Sequence, residues 1–229
     1  MAFIQDFDGQ PGSVHAVGAT QKSVISSDAS VRIGGSPVFW SLKRWFDIGF
    51  SIALLPLMLI CAAVILLLNP FFNPGRLFFV QARMGQDCKA FGAIKFRTMT
   101  DARVERGPED PIETHRITPL GGVLRKLRID ELPQILNVLA GDMSLMGPRP
   151  DYFGHARSYV RAIPQYRDRH SVRPGISGLA QIQVGYVEGT EATRLKVQAD
   201  LDYIQNAGLR MELWVFWRTL VTIFRRKGA

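Results

Sequence analysis

With 229 residues, 47% of them hydrophobic and 21% charged, the chain is long enough to bury a core and too apolar to be disordered as a whole. Its 28 Lys and Arg against 20 Asp and Glu leave a net charge of +8, and that mixture of apolar bulk with positive charge suits an anionic partner: nucleic acid, a phosphorylated substrate or a membrane surface. Two cysteines, Cys61 in an apolar run and Cys88 in a polar turn, exclude a disulfide framework and suit a reducing compartment, and four scattered histidines lack the spacing of zinc ligands.

Residues 1–39 read as a mobile N-terminal tail, rich in Gly, Ser, Ala and Asp. The first 68 residues carry four basic and four acidic side chains, so the whole positive excess lies beyond them. Lys43, Arg44 and Trp45 form a basic and aromatic anchor ahead of an uncharged run of 21 residues, Ile48 to Leu68. A straight helix of that length just crosses a ~30 Å hydrocarbon core. The run starts too late and is too long for a signal peptide. Pro56 lies inside it and removes one backbone donor, so a kink is expected there. Two arrangements stay open: a kinked spanning helix, which backbone physics alone favours because neighbours usually satisfy the freed carbonyl, and a re-entrant hairpin over residues 40–69 broken at Pro56. Basic flanks on both sides of the run place both ends on the cytoplasmic side, as the hairpin requires.

Residues 70–229 read as one domain. Leu77–Arg83 and Ala90–Arg97 are expected to pair as a β-hairpin with Gly85 in the turn. Glu105–Glu113 is a Pro- and acid-rich loop. Helices are expected over Thr118–Leu127, over Leu132–Ala140 with Pro133 in the first turn and Gly141 as the stop, over Asp151–Tyr166 and over Thr190–Asn206. Leu213–Phe224, followed by Arg225, Arg226 and Lys227, fits either an interfacial helix on anionic lipid or a core helix with a solvated basic end. The fold class is thus α+β and mostly helical, with a small β-hairpin and amphipathic interfacial helices.

The chemistry-bearing residues cluster between Lys95 and Gln181. Asp130 and Glu131 sit just before Pro133, where acids also serve a helix dipole. Arg125 precedes them, Arg149 is held between Pro148 and Pro150, and Arg167, Arg169 and Arg173 lead into Pro174, Gly175 and Gly178. Stiff Pro/Gly segments carrying arginines suit phosphate, because the guanidinium fork contacts two phosphate oxygens at once. Such loops beside carboxylates are unlike an aromatic-interleaved nucleic-acid surface, so no nucleic-acid partner is expected.

Three segments in order, from Arg83 and Gly85 through Phe91 to Lys95-Phe96-Arg97-Thr98-Met99, then Leu124–Pro150, then Arg173–Gln181, closely resemble the bacterial sugar transferases, the monotopic phosphoglycosyl transferases. The resemblance extends from about Trp40 to the C-terminus and is to the short form of the family. It implies transfer of a sugar 1-phosphate from a UDP-sugar to polyprenol (undecaprenyl) phosphate with release of UMP, an early membrane step of exopolysaccharide or capsule assembly. It implies Mg²⁺ as cofactor, anionic lipid as a partner, and a place on the cytoplasmic face of the bacterial inner membrane; a homo-oligomer is compatible with it. Asp130 maps to the nucleophile that forms an aspartyl phospho-sugar, and Glu131 to a group that positions the metal or the reacting atoms. Lys95 and Arg125 then contact phosphate near the dyad, Arg149 holds it from the opposite side, and Pro148, Arg173, Pro174, Gly175 and Gln181 line the substrate. Asp200 falls in a late element, Asp200-Leu201-Asp202-Tyr203-Ile204, and is expected to orient arginines. The family usually breaks its re-entrant helix at Ser-Pro, whereas this chain has Leu55-Pro56 and so lacks that hydroxyl.

Overall fold

The computed structural model describes residues 31–100, 107, 110, 113–185 and 190–224. The tail up to residue 30, most of the 105–113 loop and the basic end Arg225-Arg226-Lys227 lie outside the described residues.

Helix α1 (Pro37–Phe72) begins where Ser36 accepts a 3.1 Å bond from the Phe39 amide and Pro37 supplies a first-turn residue with no donor to satisfy. It is longer at both ends than the 40–69 segment expected, and helical backbone continues through Pro56 and Pro70. Lys43, Asp47, Ser51, Met58, Ile65 and Asn69 form its one buried stripe. Elsewhere apolar side chains face outward, Trp45, Leu67 and Phe71 each being over 70% exposed. Only 17% of its most apolar window is buried, so α1 is not the core helix of a water-soluble body; its length and composition suffice to cross a membrane.

Both ends of α1 are tied to the same domain. At the N-terminal end Asp47 accepts from the Ser144 hydroxyl at 2.7 Å and the Leu145 amide at 3.3 Å, while Lys43 pairs with Glu212 at 2.6 Å. At the other end Asn69 donates to the Gly75 carbonyl and Asn73 to the Arg97 carbonyl, at 2.7 and 2.8 Å. Between them Met58 and Ile65 pack with Phe96, Leu124 and Ile135.

Strands β1 (Phe78–Met84) and β2 (Ala90–Phe96) form the expected antiparallel hairpin, Phe78 opposite Phe96 and Met84 opposite Ala90. The turn chemistry differs from expectation. The left-handed residues are Asp87 (φ 56°) and Cys88 (φ 59°) in a 3₁₀ turn, Gln86–Cys88, and Gly85 has φ −103°. Gly85 is needed for room: a Cβ there would lie 2.9 Å from the Phe91 ring.

Helix α2 (Pro119–Lys126) is capped by the Thr118 hydroxyl, which accepts from the Gly121 amide at 3.0 Å. Left-handed Arg128 (φ 60°) then turns the chain into a 3₁₀ segment, Ile129–Glu131, and α3 (Gln134–Ala140) stops at left-handed Gly141 as the sequence indicates. A short parallel pair follows that the sequence reading lacked, β3 (Ser144–Met146) with β4 (Gly175–Ser177). Between these strands α4 (Phe153–Ala162) is shorter than expected, giving way to a 3₁₀ stretch at Tyr166–Ser171. Helices α5 (Leu179–Gln183), α6 (Thr190–Gln205) and α7 (Leu209–Phe224) complete the chain. The main core collects Val138, Met143, Tyr166, Ile204 and Val215 around the strand pair. On α7, Val215 is fully buried while Leu213, Trp214 and Trp217 are exposed and Arg218 lies over the Trp214 ring, so the helix has a core face and an apolar outer face.

Candidate active site

Asp130 and Glu131 occupy a 3₁₀ turn between α2 and α3, and both are buried. A single helical turn aims consecutive side chains in different directions, and the two carboxylates meet opposite surroundings. Glu131 accepts from Lys95 Nζ at 2.8 Å and from both terminal nitrogens of Arg149, and Arg128 approaches it to 3.8 Å. Asp130 receives no hydrogen bond or ion pair from the described residues, so its oxygens remain open.

This asymmetry sets the charge states. Burial works against ionising Glu131, but the charges and hydrogen bonds of Arg149 and Lys95 overcome it and hold the carboxyl well below its ordinary range. Burial, then the neighbouring Glu131 charge, push Asp130 up, while Lys95, Arg125 and Arg149 oppose. Lys95 is pulled down by burial against the pull of Glu131. Arg83, half-buried, is lowered to about 10 by desolvation and then by Arg149. With Gln134 and Pro150, the three cations Arg83, Lys95 and Arg149 line a small pocket next to the dyad.

Each element contributes for a local reason. Lys95 is the second-last residue of β2, and β2 is bound to α3 through Asn137, which accepts from the Ile94 amide at 3.0 Å and donates to the Gly92 carbonyl at 2.8 Å. Arg149 follows β3, and its Nη1 also donates to the Ile176 carbonyl beside it at 3.2 Å. Pro148, Pro174 and Gly175 serve this strand pair: the Gly175 amide bonds the Pro148 carbonyl and the Ser144 amide the Pro174 carbonyl, both at 2.9 Å. A Cβ on Gly175 would come within 2.2 Å of the Gly147 nitrogen, so only glycine lets these backbones approach.

The other expected residues stand further off. Arg125 donates to the Met99 sulfur at 3.2 Å, close enough to Asp130 to favour its ionised form. Arg173 turns away and donates to the Gly141 carbonyl. Gln181, on α5, has a buried carbonyl oxygen with no partner. Asp200 is fully buried and pairs with Arg169 at 2.7 Å; Arg169 also pairs with Asp151 and donates to the Arg149 carbonyl at 2.7 Å. Asp200 thus acts on the Arg149 segment through Arg169. Arg83, Arg128 and Gln134 were not expected at the site; Arg83 had only its place in a sequence motif to signal it.

A helix long and apolar enough to cross a membrane thus packs against a domain whose open carboxylate is surrounded by cations. The chain belongs to the bacterial sugar transferase family, which matches residues 38–226. It is 40% identical over 198 residues to a UDP-N-acetylgalactosamine-undecaprenyl-phosphate N-acetylgalactosaminephosphotransferase of Aeromonas hydrophila, a match that takes in 85% of this chain and 46% of that protein. It is 37% identical over 195 residues to the exopolysaccharide production protein PSS of Rhizobium leguminosarum bv. phaseoli, 82% of this chain and 98% of that one. To a UDP-glucose:undecaprenyl-phosphate glucose-1-phosphate transferase of Caulobacter vibrioides it is 40% identical over 179 residues, 74% of this chain and 61% of the other. The chain therefore spans less than two thirds of the Aeromonas and Caulobacter relatives and nearly all of the Rhizobium one.

Proposed function

We propose that this chain transfers a sugar 1-phosphate from a UDP-sugar to a polyprenol phosphate such as undecaprenyl phosphate, releasing UMP, as a membrane step of exopolysaccharide or related glycan synthesis. The observation that carries this reading is the division of labour in the dyad: Glu131 is saturated by cations, and Asp130 is open and surrounded by them.

An Asp130 oxygen attacks the β-phosphorus of the UDP-sugar, and the bond from that phosphorus to the bridging oxygen breaks, its electron pair leaving with UMP. The product is an aspartyl phospho-sugar. A phosphate oxygen of the polyprenol phosphate then attacks the same phosphorus, the aspartyl–phosphorus bond breaks, and the Asp130 carboxylate is restored. Both steps bring an anion toward an anion, so neighbouring positive charge is required. Arg149, Lys95 and Arg83 supply it from one side, with Arg125 nearer the α2 end. Glu131 keeps Lys95 and Arg149 aimed at the dyad.

The donor set also suits Mg²⁺, which is commonly held by one or two carboxylates together with substrate phosphates. Because both Glu131 oxygens already accept from Lys95 and Arg149, Asp130 and the diphosphate would be its main ligands, Glu131 lending at most a spare lone pair. Bound there it would offset diphosphate charge.

The reading places α1 as a re-entrant hairpin bent at Pro56, with the domain on the cytoplasmic face of the inner membrane. It is supported by the attachment of both ends of α1 to one domain, through Asp47 and through Asn73. A soluble nucleotide and a lipid-borne phosphate could then meet at one dyad.

The test is UMP release from a panel of UDP-sugars with undecaprenyl phosphate and Mg²⁺. Wild-type protein should turn over at least one sugar, and Asp130→Asn should fall by at least about 10³-fold. Retained turnover in that variant would remove Asp130 as nucleophile.

A further inference from the structure

A cavity of about 260 Å³ lies apart from the dyad, bounded by the N-terminal part of α1, β3 and the segment before β4. None of the residues that bond Glu131 line it. Its cationic wall is Arg44 and Arg173, brought from positions far apart in the chain to the end of α3. Arg44 donates to the carbonyls of Val138 and Leu139 at 2.7 and 3.3 Å, and Arg173 Nε to that of Gly141 at 3.0 Å. Carbonyls at a helix C-terminus carry partial negative charge, which explains why two guanidiniums settle there. It does not satisfy them. Neither arginine pairs with a carboxylate among the described residues, and the terminal nitrogens of Arg173 have no partner there. The third cation, Lys43, is already neutralised by Glu212 and Asp47.

Two further observations point to a ligand. Ser171, which lines the cavity, has a buried hydroxyl with no partner, an arrangement that is costly unless something else bonds it. Arg44 is also lowered by burial and then by the like charge of Arg173, with Asp47, which lines the cavity too but pairs with Lys43, opposing. Its place in the chain is informative as well: Trp40 and Arg44 lie on the turns just before the apolar run, next to exposed Leu42, Trp45 and Phe46, which on the proposed membrane reading is where lipid headgroups would meet the helix.

We propose that this cavity is a second anion site, in which Arg44 and Arg173 hold the phosphate of a ligand other than the diphosphate at the dyad. A phosphate between two guanidinium forks gains charge-assisted bonds from both, and the Ser171 hydroxyl is at hand to donate a further one. A phospholipid headgroup and a soluble phosphate share this chemistry.

The test uses full-length protein purified in a neutral detergent, with native mass spectrometry for phosphatidylglycerol and, in a separate arm, calorimetry with inorganic phosphate and UMP. Arg173→Gln, which gives up a single exposed backbone contact, and Arg44→Gln/Arg173→Gln should weaken binding by roughly tenfold and a hundredfold in one arm. Arg44→Lys/Arg173→Lys should retain part of it. Loss in the lipid arm identifies a headgroup; loss in the soluble arm identifies a free phosphate. Asp130→Asn should leave this binding intact while UMP release disappears, which separates the site from the dyad. Equal binding by wild type and Arg173→Gln in both arms, with unchanged melting temperature, would overturn the proposal.

Discussion

Asn73 and Arg97 hold each other reciprocally: the Asn73 side chain donates to the Arg97 carbonyl, and the Arg97 guanidinium donates to the Asn73 carbonyl. The same guanidinium reaches the carbonyls of Pro74 and Arg76, and the Thr118 hydroxyl donates to the Asn73 side-chain oxygen at 3.0 Å. One buried joint therefore binds the end of α1 to the end of β2 and the start of α2. Asn73→Ala removes the side-chain donor to the buried Arg97 carbonyl and one of the two acceptors of the Thr118 hydroxyl, an unsatisfied buried group being worth about 1–3 kcal/mol. Thermal unfolding in detergent should show a melting temperature lower by several degrees, and an unchanged value would mean the joint is not structural.

Glu131→Gln separates positioning from nucleophilic attack. Lys95 and Arg149 lose their carboxylate, a change expected to cost about 3 kcal/mol because buried charges are left uncompensated. The UMP-release rate should fall by about 10²-fold through misplaced cations. The pH profile is the distinguishing readout. Asp130 is raised by burial and by the Glu131 charge, and it must be ionised to attack, so activity in wild type should rise on an acid limb above the usual carboxylate range. Removing the Glu131 charge should move that limb to lower pH even as the maximum falls. A limb that stays in place would show that Glu131 does not control Asp130.

Asp200 gives a stability signature of opposite sign to the usual carboxylate. Burial raises it to about 6 despite Arg169. An acid that is harder to ionise in the folded state holds its proton more tightly there than when unfolded. Its contribution is complete below the unfolded value near 3.8 and is lost as pH rises through about 6. Asp151, lowered to about 2 mainly by the Arg169 charge against the cost of burial, contributes above its unfolded value and loses that only as pH falls toward 2. Between pH 4 and 7 the Asp200 effect should therefore dominate this cluster. Asp200→Asn should gain on wild type by about 2–3 kcal/mol over that interval, read from unfolding at several pH values. A constant gap would refute the raised value.

Topology gives an independent check on the membrane reading. Arg32 and Arg76 flank α1 and are both exposed. With Cys61 and Cys88 replaced by Ser, Arg32→Cys and Arg76→Cys should react with an impermeant thiol reagent from the same side in oriented vesicles. Labelling from opposite sides would require a spanning helix.

The sequence made some parts plain and hid others for physical reasons. The hairpin, α2, α3 and α6 announce themselves through alternation, caps and stops that act within a few residues, as Thr118 and Gly141 do. The dyad, Lys95 and Arg149 were legible as chemistry because they sit in dense motifs. What the sequence could not display was partnership at long range. Asp47 binds β3 from nearly a hundred positions away, Asn137 ties together β2 and α3, and three-residue strands are too short to show a period. The Pro/Gly segments read as phosphate loops also hold that strand pair together, which only the backbone contacts of Gly147 and Gly175 disclose.

The stripe that α1 buries has a practical consequence. Met58 and Ile65 cover Phe96, Leu124 and Ile135, and Asp47 accepts from Ser144 and Leu145 of β3, so the apolar helix is a wall of the domain. Cutting it away to obtain a water-soluble fragment would uncover the flank of the very turn that carries Asp130. The same helix that gives the protein its exposed apolar surface thus also shelters Ile129 and Leu132, the neighbours of the dyad in sequence.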